Sequence, residues 1–224
     1  MPETLATLRA GAKSAADKEF GNHITASEWN GYVNNGYSAL WDLVVQSFGD
    51  HFVTSADFAV VGGIAASTYA LPSDFYILLG LDKDPTSSSR YPVPKFNWHE
   101  RNATRTISYR LMGSVLRLEP AETCGGNYRI WYTPGYTALV ADADAISAYV
   151  DQWSEYIKIY AGIKGQAKEE SDVTVLQGQL NALESRIKGI AAGARDASSG
   201  GTVSDVKGSS GGLDGMDPRW RNNG

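Results

Sequence analysis

The sequence predicts an α+β protein in which a helical bundle carries a small inserted antiparallel β subdomain and ends in a flexible tail. Three observations lead there. Apolar residues recur at helical spacing up to about residue 50 and again from about 142 to 195; the stretch between them loses that period and is dense in strand formers; and from about 197 glycine, serine and short polar residues dominate. These changes of texture set the expected boundaries: 1–50 and 135–197 for the helical bundle, 51–134 for the β-rich insertion, and 198–224 for an extended Gly/Ser-rich tail.

The leading helix is marked by Leu5, Leu8, Ala12 and Ala15. A second start follows at "NHITASEWNGYVNNGYSALWDLVVQSFG", where Thr25 and Glu28 fit a capping box and Ile24 and Trp29 a hydrophobic staple. Trp29, Val33, Leu40, Val44 and Phe48 then recur at roughly helical intervals, with Tyr37 and Trp41 widening the stripe. Gly49 supplies a stop.

In the insertion, "TISYRLMGSVLRLEP" reads as strands 106–111 and 115–118 around a tight turn containing Gly113, and "YRIWYTP" at 128–134 as a third strand. "FAVVGGIAASTYALP" and "DFYILLGLD" supply others, giving one small antiparallel sheet. "DKDPTSSSRYPVPK", with Pro85, Pro92 and Pro94, reads as an exposed connection.

Helix then returns. Ile146, Tyr149, Val150, Trp153, Ile157, Tyr160 and Ile163 trace one apolar face, with Asp142 or Asp144 as its cap. Beyond it Val173, Leu176, Leu180, Leu183, Ile187 and Ile190 step alternately by three and four, a narrow helix-packing seam that needs a long partner. The stretches 29–48 and 146–163 of the same subunit are the favoured partners.

Between these two helical patterns lies an acidic knot of Glu169, Glu170 and Asp172. A capping account, with Ser171 or Asp172 as N-cap of the later helix, uses nearly every polar residue there; a metal site needs further ligands that the local sequence does not show. The pairs Asp142/Asp144 and Asp82/Asp84 receive the same reading, and no acid stands out as held in an apolar pocket for glycoside hydrolysis. His23, His51 and His99 lie far apart and outside any metal-binding spacing. Trp98, beside His99, Glu100 and Arg101, reads as core rather than as a ligand platform. No P-loop, GxGxxG turn, GxSxG elbow or CxxC pair occurs, so neither catalytic residues, nor a cofactor, nor a metal is assigned.

Composition narrows the class further. A single cysteine, Cys124, suits a reducing compartment and makes a poor candidate nucleophile. With a net charge of −5 the chain lacks the basic stripe of a nucleic-acid binder. No apolar run approaches the about 18 residues of a membrane span, and the start of the chain does not read as a secretory leader, so a cytoplasmically made protein is expected. The tail cannot bury enough apolar surface to order itself, yet Met216, Arg219, Trp220 and Arg221 near its end suit a segment that folds on binding, with Trp220 as the apolar anchor.

The order of "ITASEWNGYVNNGYSALWDLV", "LPSDFYILLGLD", "NWHERN", "YRLMGSVLRLEP", "IWYTP" and "KEESDVTVLQGQLNALESRI" resembles the head-to-tail adaptor (connector, or head-completion) proteins of tailed bacteriophages, over about residues 5 to 197. The resemblance implies a structural protein of the virion neck, at the portal vertex, assembled in the host cytoplasm. It implies a closed homo-oligomeric ring of about twelve copies beneath the portal protein ring, offering a platform to a downstream tail or nozzle protein. It also implies that the tail, with Met216, Arg219, Trp220 and Arg221, binds the portal, and that genomic DNA passes through the ring without sequence-specific binding. An acidic wall suits that passage, because it repels the phosphate backbone where a basic wall would hold it. Competing readings are a tail-tube or tail-terminator protein, in which the β region would form the ring, and a virion-associated glycan hydrolase. Helices with the clearer apolar faces favour the adaptor.

Overall fold

The computed structural model describes residues 2–18, 23–61, 67–84, 91–100 and 106–198, and the tail residues Met216, Arg219, Trp220 and Arg221 lie outside them. Within the described residues the fold is mixed α+β, with four helices and two small antiparallel sheets.

Helix α1 (Leu5–Ala15) is capped by Thr4, whose side chain accepts from Thr7 N while the Thr7 hydroxyl accepts from Thr4 N. Its buried stripe is Leu5, Leu8 and Ala12, continued by Ala16, while Ala15 is only half-buried. Helix α2 (Ala26–Phe48) begins at the Thr25/Glu28 capping box and stops at Gly49, whose φ of 59° is open to glycine at little cost. Ile24 and Trp29, on either side of the cap, are both buried. Helix α3 (Ser154–Lys168) and helix α4 (Thr174–Ser198) complete the helical layer. Leu8, Val33, Leu40, Ile157, Leu180 and Ile187 belong to one hydrophobic cluster that all four helices share.

Helices α2 and α3 approach closely where glycine permits it. A methyl group at Gly165 would overlap the Trp29 ring, and one at Gly36 would stand 3.2 Å from the Ile157 carbonyl oxygen.

The stretch 141–150, expected to start the third helix, is not helical. Asp144 takes the N–H groups of Val140 and Ala141 on its carboxylate, both at 2.8 Å, and so closes a turn. Such side-chain-to-backbone bonds compete with helix. The backbone there pairs with the N-terminal segment instead: Leu5 N donates to Asp144 O at 2.8 Å and Ile146 N to Glu3 O at 3.0 Å. Asp142 pairs with Arg9 at 2.9 Å, and Tyr149, expected on the buried face, is 65% exposed.

The strands are β1 (Thr54–Val60), β2 (Thr68–Ala70), β3 (Phe75–Lys83), β4 (Tyr91–Pro92), β5 (Ser108–Met112), β6 (Val115–Glu119) and β7 (Gly126–Pro134). They form two sheets rather than the single one expected, a four-stranded sheet in the order β1-β7-β3-β4 and a three-stranded sheet in the order β2-β6-β5. The β5–β6 hairpin, turning at Gly113 with φ of +60°, is extended by β2 and not by β7. The division has a burial rationale: Leu116 and Leu118 of one sheet and Tyr128, Ile130 and Tyr132 of the other share a second hydrophobic cluster, so each sheet covers an apolar face of its neighbour.

In the proline-rich connection Pro92 and Pro94 are exposed as expected and Pro85 lies outside the described residues, but the stretch is not a plain loop. Tyr91 and Pro92 pair with Lys83 and Asp82 at the sheet edge, where a residue without an N–H is tolerated, and Val93 is buried with its N–H on Leu81 O at 2.7 Å. Polar contacts join the helical layer to the larger sheet: Trp41 Nε1 donates to Pro134 O at 3.1 Å, and Tyr76 donates its hydroxyl to Asp42 at 2.7 Å.

Candidate interaction surface

The acidic knot resolves into a helix junction. Glu169 sits at the end of α3 and pairs with Lys18 at 2.5 Å, and Glu170 adopts a φ of 55° that turns the chain. Asp172 Oδ1 accepts from Thr174 N at 2.9 Å and from its hydroxyl at 2.6 Å, which depresses the Asp172 pKa and anchors the first turn of α4. These contacts are the chemistry of helix ends.

Of the seam residues, Leu176, Leu180 and Ile187 are buried and Val173 and Leu183 half-buried. Ile190 is 45% exposed, and Ala191 is buried in its place. A straight helix of 3.6 residues per turn drifts off a strict seven-residue repeat, so the buried line ends one residue further along. Helix α4 packs on both α2 and α3, and Tyr156 of α3 donates to Glu184 Oε1 at 3.2 Å. His23 and His99 are exposed, and Cys124 is buried, with its thiol on Ala121 O at 3.2 Å and its pKa pushed up chiefly by desolvation.

What the sequence hid is a cleft of about 780 Å³ between the two sheets. One wall is Phe75 to Leu78 of β3; the other is Tyr109 to Met112 of β5, with Lys95, Phe96 and Trp98 between them. Trp98, expected in the core, is 62% exposed. Its ring meets Phe96 edge to face at 5.2 Å, and the Arg110 guanidinium lies 5.1 Å from the Trp98 centroid and 5.4 Å from that of Phe96. A cation against two rings holds an aromatic platform at the surface.

The charge at this platform is positive. Arg110 Nη2 donates to Glu119 Oε1 at 3.0 Å, and Arg117 pairs with the same oxygen at 2.8 Å, so two guanidinium groups share one carboxylate. Lys95 and Arg110 are the two cations of the lining, which contains no carboxylate among the described residues. Asp42 and Asp74 take the hydroxyls of Tyr76 and Tyr132 and, like Glu119, do not line the cleft. The "NWHER" segment carried the one sequence signal of this surface, an aromatic among polar residues; the partnership with Arg110 depends on tertiary contact.

Among the described residues no cluster of three or more metal-ligating side chains forms, and no helix is long and apolar enough to cross a membrane. The described residues thus form a capped helical bundle joined to a β unit that presents an exposed aromatic cleft. The family model of the SU10 adaptor proteins matches residues 4–204, and the chain belongs to that family of phage head-to-tail adaptors. No curated protein matches it.

Proposed function

We propose that this adaptor forms a homo-oligomeric ring under the portal, joins the phage head to the tail and continues the DNA channel. The observation that carries the reading is the match to the adaptor family along residues 4–204. On this reading the chain divides into a helical body, 1–50 and 135–197, a β-rich insertion, 51–134, and a Gly/Ser-rich tail, 198–224. The capped, tightly packed helices suit a body that holds its shape within a ring. The insertion exposes Trp98, Leu111 and Met112, which suits contact with the next protein down the tail. The tail docks on the portal through Trp220, flanked by Arg219 and Arg221, with Met216 beside it. The net charge of −5 per subunit, repeated around a pore, favours sliding of DNA over its retention. No catalytic step belongs to this role.

The test is genetic with biochemical rescue. A phage carrying a stop codon at Trp29 should yield heads that are not joined to tails, and purified full-length protein added to the lysate should restore infectivity. Joined, infectious particles made without the protein would refute the reading.

A further inference from the structure

We infer that the cleft between β3 and β5 is a strand acceptor, which takes an extended segment of a partner polypeptide bearing alternate apolar side chains and a carboxylate. The inference goes beyond the neck role and holds whichever virion protein supplies the segment. Three observations converge on it.

Each wall keeps a stretch of open strand edge, although the segment 94–96 bridges β5 at Tyr109. β4 covers only Asp82 and Lys83 of β3, so the edge from Phe75 to Gly80 has no strand neighbour among the described residues. On the other wall Tyr109 turns its backbone away from β6, donating to Pro94 O at 3.0 Å and accepting from Phe96 N at 2.7 Å. Leu111, two residues on, directs its N–H and C=O the same way by the period of a strand, and it has no backbone partner among the described residues. An unpaired edge is a template for another strand.

The lining is apolar and unusually exposed for its type. Ile77, Leu111, Met112 and Trp98 are all at least 39% exposed, and they stand on the rim of one cleft instead of being scattered. Alternate side chains of an incoming strand would cover them. The charge then selects the strand: Arg110 shares its one carboxylate with Arg117, and Lys95 has no ion pair among the described residues. An acidic side chain completes this set. The chain's own segment "MDPRWR", at 216–221, has two arginines to one aspartate and is the wrong charge.

The experiment selects twelve-residue peptides from a random library on the full-length protein, followed by affinity and hydrogen exchange with the strongest binder. Enriched peptides should alternate apolar residues, carry at least one Asp or Glu, and slow exchange at Leu111 and along Phe75–Gly80. Replacing the acid by lysine, or methylating the backbone nitrogens that face the cleft, should weaken binding at least tenfold. Trp98→Ala, at an exposed position that leaves the fold intact, should do the same, as should Lys95→Glu. Basic or patternless winners, protection elsewhere, or no enrichment would overturn the inference. So would competition by a synthetic peptide of residues 212–224, or concentration-dependent pairing of two copies that protects Leu111. Uptake of the Trp98→Ala protein by the portal ring reports separately on the neck role.

Discussion

Thr25 and Glu28 show how much local chemistry rests on two side chains. The Glu28 carboxylate accepts from Thr25 N at 2.9 Å and pairs with Lys168 of α3, so one residue caps α2 and ties it to a second helix. Hydrogen bonding to Lys168, and then to Thr25, lowers the Glu28 pKa from 4.5 to about 2. The sign follows directly: the folded pKa is the lower, so the stabilisation is complete above pH 4.5 and is lost as pH falls through about 2. Urea titrations between pH 6 and pH 2 should therefore show a shallower acid loss in Glu28→Gln than in the parent. Thr25→Ala should cost about 1 kcal/mol at neutral pH. Gly165→Ala, which drives a methyl into the Trp29 ring, should cost about 1–3 kcal/mol, read as a shift of the urea midpoint.

At the scale of elements, α4 separates what a sequence pattern can and cannot specify. The repeat of three and four identified a helix and most of its buried line, because burial on one side of a helix leaves its period in the sequence. It did not place the end of that line, where Ile190 is exposed and Ala191 buried. Leu180→Ala should lose about 2–5 kcal/mol, whereas Ile190→Ala should change stability by less than about 0.5 kcal/mol, measured in parallel by chemical denaturation.

The other departures have the same origin in long-range contact. Asp144 caps a turn instead of a helix because residues 144–146 pair with residues 3–5, more than a hundred positions away. The division into two sheets and the emergence of Trp98 at the surface likewise depend on which strands meet, and strand partners leave no local period. Caps and stripes were legible; the cleft was not, since its walls come from β3 and β5 and its cation from Arg110.

For the whole molecule, the two hydrophobic clusters divide the labour. The helical cluster supplies a body whose glycine-mediated contacts leave little room for rearrangement, and the sheet cluster supports edges that remain open. Ring formation under the portal would place many copies of both around one axis, so weak contacts per subunit gain strength by repetition. The central claim is tested most directly by native mass spectrometry of the portal ring from the same phage mixed with this protein, full length or cut after Ala197. The account predicts a mass increment equal to a complete ring of 24.1 kDa subunits for the full-length chain, lost or weakened by the cut. An unchanged portal mass with the full-length chain would contradict it.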